Sequence, residues 1–286
     1  MFLTSSKIQN ISKKSESSVS TAIRTTMTSF HKKEDLVEKI KPSEFTIKIA
    51  NTLEEREAAF KLGYQIYLEK GYIKENVNKW LVNDYDANKD TTILIVKDIS
   101  NNVVGSVTLV FKNEDSIPAE KIYYDEINAL SATGKKIAEL SRLVISPDYR
   151  NSKEIILLLF NYLSIYAFRN KNYDYLTIQV NPRHKAYYEK LLNFKEIGGE
   201  KLCPRVQNAP AVLMLLKLGD FFANPSRFIE TNNSDKKDRT LYHYFLKPDQ
   251  ENLVVYYLAK QAKPISQEEK IYFGFSESGI NHLASV

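Results

Sequence analysis

Cysteine, histidine and glycine are all scarce in this chain of 286 residues. A single cysteine, Cys203, excludes an internal disulfide and any zinc site built from several cysteines. The four histidines are scattered, so we expect no metal site. Cys203 could act as a nucleophile, but a lone thiol is more often a small packed side chain. This cysteine usage favours a reducing compartment, and we expect a cytoplasmic location.

Long apolar runs are also missing. No stretch approaches the roughly 18 apolar residues that a membrane-spanning helix needs. The hydrophobic content of 43% is nevertheless sufficient for a substantial core. The sequence therefore predicts a globular chain without a transmembrane segment.

Positive charge is concentrated at the N-terminus. The net charge is +5, and residues 1–43 hold eight basic residues against four acidic ones. The remainder is nearly neutral, so we expect no nucleic-acid binding. Thirteen of the first 30 residues are Ser or Thr, which predicts a disordered basic tail over residues 1–43. Such a tail could contact an anionic membrane peripherally, with an inert linker or an organellar transit peptide as alternatives.

Hydrophobic periodicity organises the rest of the chain. Alternation over residues 45–49 marks a first strand, and Thr52 begins a helix that ends near Gly71. Residues 91–97 and 103–111 form a hairpin. Further strands are predicted at 136–146, 175–180 and 211–218, and further helices at 153–168 and 184–192. This order predicts a mixed α/β domain over residues 44–220, followed by a C-terminal extension over 221–286 that contains helices.

Residues 136–150, KIAELSRLVISPDYR, combine the pattern of a buried strand with charge. Glu139 and Arg142 lie within the apolar run. Ions are costly to desolvate unless they are paired, so this is either a structural ion pair or a pair that faces a reacting group.

Several motifs resemble known acyltransferases. The strand, the ISPDYR turn at 145–150 and the helix that follows resemble the acyl-coenzyme A motif of the GCN5-related N-acetyltransferases. Glu139-Leu140-Ser141-Arg142 resembles the acyl-homoserine lactone synthases. VNPRHKAYYEKLLNFKEIG (180–198) and CPRVQNAPAVLMLL (203–216) resemble the long-chain N-acyl amino acid synthases. The resemblance covers residues 45–218 and implies an acetyltransferase-like fold, with a mixed and mostly antiparallel central sheet flanked by helices.

The resemblance also implies an activity, which is transfer of a long acyl chain from acyl carrier protein to the amine of an amino acid or a similar acceptor. Glu139 would accept the amine proton, Arg142 would clamp the acceptor's carboxylate, and Tyr188 would lie beside the departing thiolate unless it is a core aromatic. Residues three apart on a regular strand point to opposite faces, so Glu139 and Arg142 share a site only if a β-bulge lies near them. The substrate-binding candidates are Asp84, Asp86, Val144, Asn181 and His184.

The donor is expected to be acyl-phosphopantetheine on the carrier, with acyl-coenzyme A as the alternative and no permanently bound cofactor. Acetyltransferases wrap a pyrophosphate with a glycine-rich loop after the arginine that corresponds to Arg150, whereas this chain has no glycine there. Asn151 instead begins a capping box with Glu154, whose negative charge disfavours a diphosphate. Arg150 and Lys153 are the expected docking residues for the acidic carrier.

Two other functions stay open on the sequence. One is an acetyl-coenzyme A-dependent N-acetyltransferase. The other is a non-catalytic module that binds acyl chains or the carrier protein.

Overall fold

The computed structural model of the chain describes residues 45–150, 152–224, 241 and 245–275. The sequence-based predictions for the tail at 1–43, for Asn151 and for most of the linker after residue 224 lie outside these residues.

Seven strands form one open sheet in the order β1-β2-β3-β4-β5-β7-β6. Every neighbouring pair is antiparallel except β4 and β5, which run parallel. This confirms the predicted mixed, mostly antiparallel sheet. The strands are β1 (Thr46–Ile49), β2 (Thr92–Lys97), β3 (Val103–Phe111), β4 (Ile137–Ile145), β5 (Tyr175–Val180), β6 (Lys195–Cys203) and β7 (Ala209–Lys217).

Helices cover both faces of the sheet. Along β2, Ile93 and Ile95 pack in the cluster that contains Phe60, whereas Leu94 and Val96 pack in the main core with the long central helix. Successive strand residues point to opposite faces of the sheet. Since helices cover both faces, both sets of side chains are buried. The helices are α1 (Leu53–Glu69), α2 (Tyr124–Ser131), α3 (Lys153–Ile165), α4 (Lys185–Leu192), α5 (Leu218–Ala223), α6 (Pro248–Gln261) and α7 (Gln267–Tyr272).

The starts of two helices test the predicted caps. Thr52 caps α1, since its hydroxyl accepts a hydrogen bond from the Glu55 amide at 3.3 Å. The N-cap of α3 is Ser152, whose hydroxyl accepts from the Ile155 amide at 3.2 Å. The helix therefore begins at Lys153 with Ser152 as its cap, one residue later than a cap at position 151 would give.

One strand escaped prediction. β6 is an edge strand with mostly exposed residues, and its register against β7 shifts twice around Gly198. Lys195-Glu196-Ile197-Gly198-Gly199-Glu200 shows little apolar alternation, so the sequence carries no strong signal for it.

The C-terminal helices pack on the domain. The Phe273 ring lies 4.9 Å from the Phe60 ring of α1 and 5.3 Å from Trp80, measured between centroids. Arg56 of α1 pairs with Glu269 of α7, and both side chains are buried. The extension is therefore helical in its described part, as predicted, and it supports α1 and the loop that follows it.

Candidate active site

A cleft opens where β4 and β5 part. Their parallel pairing ends at Leu140 and Ile178. Beyond these residues β4 continues beside β3, while β5 continues beside β7. The wedge between the two strands is closed by the end of α1 and by the turn that joins β6 to β7. Residues from all these elements line the cleft, including Tyr67, Lys70, Glu139, Arg142, Val144, Gln179, Asn181, His184, Tyr188, Cys203 and Arg205.

A β-bulge in β4 brings Glu139 and Arg142 to the same face of the sheet. Thr108 pairs with Ser141 and Ser106 with Val144, so β4 holds one extra residue here. Arg142 has a φ of 50°, in the left-handed region that non-glycine residues rarely adopt. The extra residue reverses the alternation of side chains. The bulge that a shared site requires is therefore present.

Arg142 is already engaged by the protein. Its guanidinium forms a bidentate ion pair with Asp86, donating from Nη1 to Oδ2 at 2.7 Å and from Nη2 to Oδ1. The same two nitrogens also donate at 2.9 Å to the Leu81 carbonyl oxygen and to the Thr108 hydroxyl. These four bonds use all four terminal N–H groups. The geometry thus argues against the expected clamp on a substrate carboxylate, and it makes Asp86 the partner of Arg142.

Glu139 is buried, with 1% of its surface exposed. Its Oε2 accepts a hydrogen bond from the Ala119 amide at 2.6 Å, and its Oε1 accepts from Gln179 Nε2 at 2.7 Å. Burial raises the pKa of Glu139 to about 7, against the opposing influence of the Arg205 charge and of these two hydrogen bonds. A carboxyl with such a pKa exchanges protons readily near neutral pH.

Arg205 is a site residue without a sequence-based prediction. It lies in the turn Pro204–Val206 between β6 and β7 and lines the cleft. Its guanidinium makes no hydrogen bond or ion pair with any described residue. Burial raises the pKa of Tyr67 and of Tyr85, and the Arg205 charge counteracts this rise at both. The only sequence signal was the CPRVQN motif, in which the arginine had no assigned role.

The remaining predicted residues fall into two groups. Val144, Asn181, His184 and Tyr188 line the cleft, as does Cys203, which is buried. Burial raises the pKa of Tyr188, so its phenol stays protonated. Burial, followed by the charges of Arg183 and Lys70, lowers the pKa of His184.

Four predicted residues are not part of the cleft lining: Asp84, Asp86, Arg150 and Lys153. Asp84 begins a short 3-10 turn whose third residue is the buried Asp86. Arg150 is exposed and pairs with Glu69 at 2.5 Å, and Lys153 is exposed at the start of α3.

The described part of the chain shows neither a candidate metal site nor a candidate membrane-spanning helix. It contains no group of three or more His, Cys, Asp or Glu side chains that could hold a metal ion. None of its helices has the length and apolar character needed to cross a bilayer.

The fold and this cleft define an acyltransferase-like domain, and comparison with known proteins identifies the family. The family model of the N-acyl amino acid synthase FeeM matches residues 58–217, more than half of the chain. The chain therefore belongs to the FeeM family of N-acyl amino acid synthases and is an acyltransferase. No curated protein sequence matches it.

Several solved structures are similar to this chain, and the first of them shares its fold. The N-acyl amino acid synthase FeeM from uncultured soil microbes has a TM-score of 0.57 and 24% identity, covering 65% of this chain and 97% of that one. The acyl-homoserine lactone synthase BjaI, solved with SAM and isopentyl-CoA, has a TM-score of 0.47 and 17% identity, covering 61% and 83%. The lactone synthase LasI has a TM-score of 0.46 and 16% identity, covering 61% and 89%.

Proposed function

We propose that this chain transfers an acyl group from the phosphopantetheine thioester of acyl carrier protein to the amine of an amino acid. The observation that carries the proposal is the buried Glu139 at the point where β4 and β5 part. Hydrogen bonds to its two carboxylate oxygens fix this side chain. Its pKa of about 7 suits a group that must take a proton from an ammonium near neutral pH.

The reaction joins an amine nitrogen to a thioester carbon. Glu139 takes a proton from the ammonium, directly or through a water molecule, and the neutral nitrogen attacks the carbonyl carbon. A backbone N–H that the bulge frees would donate to the oxyanion. The C–S bond then breaks, and the thiolate takes a proton from the protonated phenol of Tyr188 or from water. The nitrogen loses its second proton as the amide forms, and this proton restores the group that protonated the thiolate. The products are one amide and one thiol, with Glu139 returned to its starting state when its proton passes to solvent.

The walls of the cleft suit an acyl chain. Its lining includes apolar side chains from α1, β4, β5 and the loop after α1, namely Ile66, Leu81, Leu140, Leu143, Val144, Ile178 and Val180. Apolar lining with a few convergent polar groups is the usual composition of a small-molecule site.

Positive charge at the mouth of the cleft supports an acidic donor. Lys70 and His184 lie at the mouth. Arg183, next to His184, donates a hydrogen bond to the Tyr72 hydroxyl at 3.3 Å. Partial burial, followed by the charges of Arg183 and Arg150, lowers the pKa of Lys70, so these three cations lie close together. An acidic carrier protein or its phosphodiester would relieve this repulsion.

Donor identity can be tested with purified protein and two donors, acyl carrier protein and coenzyme A, both loaded with the same long acyl chain. We expect amide formation from the carrier to be faster, and to fall several-fold as salt rises from low to physiological strength. Transfer from a short acyl-pantetheine should hardly respond to salt. Identical salt profiles for both would contradict carrier docking, and faster transfer from acyl-coenzyme A would favour that donor.

Charge-removing variants locate the docking surface. We expect Arg150→Gln, Lys153→Gln and Arg183→Gln each to weaken use of the carrier donor and to reduce its salt dependence. Lys217→Gln is the matched control, because Lys217 is an exposed lysine that pairs with Tyr175, at the opposite end of β5 from the cleft. Carrier binding without turnover under all conditions would instead indicate a binding module.

A further inference from the structure

We infer that Arg205 binds the carboxylate of the acceptor while Glu139 and Gln179 face its amine, an inference that rests on the proposed function. The acceptor is then a free amino acid, and an amine that lacks a carboxylate is a poor substrate.

Of the cationic side chains in the cleft, Arg205 is the one best placed to bind a carboxylate. Three lysine or arginine side chains line it: Lys70, Arg142 and Arg205. Lys70 is exposed at the mouth. The terminal N–H groups of Arg142 already donate hydrogen bonds to Asp86, Leu81 and Thr108.

Within the described part of the chain, the hydrogen-bonding capacity of Arg205 is unused. It is half-buried, and no described residue accepts a bond from its guanidinium. A guanidinium presents a planar fork that matches a carboxylate with two parallel hydrogen bonds. A partly desolvated cation without a partner gains more from such a pair than an exposed one does.

The opposite pole of the acceptor site lies at Gln179. Its Nε2 donates to Glu139, while its Oε1 is shielded from solvent and accepts no hydrogen bond from a described residue. An unsatisfied acceptor beside a carboxylate suits a donor that carries several N–H groups, as an ammonium or amine does. Arg205 lines the same cleft as Glu139, and its charge counteracts the rise in the pKa of Glu139 that burial causes. The cleft thus offers an anionic and a cationic pole next to each other, which match the two charged groups of an amino acid.

Arg205 could instead bind a phosphate of the donor. Its place argues against this role, because Arg205 lines the cleft together with the buried Glu139, whereas Arg150 and Arg183 are exposed and outside the lining. If Arg205 binds the acceptor, a substitution there weakens binding of the amino acid. If it binds the donor, the substitution weakens binding of the acyl donor instead.

The test compares each protein amino acid with its own carboxamide, which keeps the amine and side chain but removes the negative charge. With the wild-type enzyme we expect kcat/KM to favour the best amino acid over its carboxamide by about 100-fold, mainly through KM, as charged hydrogen bonds of this kind support. Arg205→Gln should reduce this preference to near unity, and Arg205→Lys should restore only part of it. Arg183→Gln, an arginine at the mouth, should leave the preference unchanged.

Arg205→Gln should also move the pH profile. The groups whose charges act on Glu139 are Arg205, from the turn after β6, and Glu120, from the 3-10 turn before α2. Removing the positive one should shift the midpoint of the kcat/KM profile, measured with a carboxamide acceptor, to higher pH. This shift reports that the Arg205 charge acts on Glu139, while the preference for the amino acid over its carboxamide reports carboxylate binding.

Binding without turnover gives the second, independent measurement. Calorimetric titration of the wild-type protein with each amino acid and its carboxamide should show tighter binding of the amino acid, and Arg205→Gln should abolish the difference. A wild-type protein that forms amides from both acceptors equally well, or a variant that loses both equally, overturns the role of Arg205 and leaves the transferase function intact. Absence of amide from every acceptor and donor contradicts the transferase function, while the titration still decides the role of Arg205.

Discussion

Glu139→Gln should inactivate the protein and stabilise it at the same time. The burial that raises the pKa of Glu139 from 4.5 to about 7 means that the folded state binds this proton more tightly than the unfolded state. Its stabilising contribution is therefore full below pH 4.5 and is lost as pH rises to about 7. Since each tenfold difference in proton affinity is about 1.4 kcal/mol, the ionised side chain lowers the free energy of unfolding by about 3 kcal/mol above that pH.

Glutamine keeps the local hydrogen bonds without this ionisation. Its carbonyl oxygen can accept from the Ala119 amide, and its NH2 group can donate to Gln179 once that amide turns over. We expect the variant to be more stable than the wild type by up to about 3 kcal/mol at pH 8 and equally stable near pH 4. Turnover should fall by roughly 100-fold or more, because the proton acceptor is gone.

Urea denaturation of both proteins across this pH range measures the difference directly. Glu189→Gln removes a carboxylate from a half-exposed position on α4 and serves as the control, with an expected change below about 0.5 kcal/mol. If Glu139→Gln destabilises at pH 8 as much as at pH 4, the carboxyl is not held near neutrality by burial, and its assignment as the proton acceptor loses its physical basis.

Three other predictions follow from the packing and the charge distribution. Asp86→Asn leaves the buried Arg142 without its counter-charge and should lower the free energy of unfolding by about 3–5 kcal/mol in urea denaturation. Asp84→Asn, at a half-exposed position of the same turn, is the control and should change it by less than about 1 kcal/mol. Equal effects of the two substitutions would show that the Arg142–Asp86 ion pair does not stabilise the protein. Phe273→Ala should cost about 3–5 kcal/mol by the same assay, against under about 1 kcal/mol for the exposed Ile271→Ala, and a cost as small as that control would mean that α7 does not support the domain. Deleting residues 1–40 should leave turnover in solution intact and reduce only binding to anionic vesicles in a sedimentation assay, so loss of folding or catalysis would place the tail within the domain.

The sequence predicted most of the sheet because its strands alternate or are uniformly apolar. The β2–β3 hairpin, β4, β5 and the long helix α3 all have clear periodicity, and their positions agree with the structure within a few residues. β6 lacks that signal, since it is an edge strand with charged residues and two glycines. Local pattern fails where one face of a strand has no core to cover.

The active site was predictable only in part, for a similar reason. Glu139 stood out because a charge within an apolar strand is unusual, and the need for a bulge followed from strand geometry. The pairing of Arg142 with Asp86 joins residues 56 positions apart, and no local pattern reveals it. Arg205 reaches the cleft only through the β6–β7 connection, of which β6 was not predicted.

Acyl transfer to an amine is tested most directly by the stoichiometry of the reaction in one purified mixture. The protein, a long-chain acyl carrier protein and a mixture of isotopically labelled amino acids are incubated, and free thiol and amide are measured together by mass spectrometry. We expect one N-acyl amino acid for each thiol released, with labelled nitrogen in the amide. Thiol release that yields free fatty acid and no labelled amide would contradict this expectation, because water and not an amine would then be the acceptor.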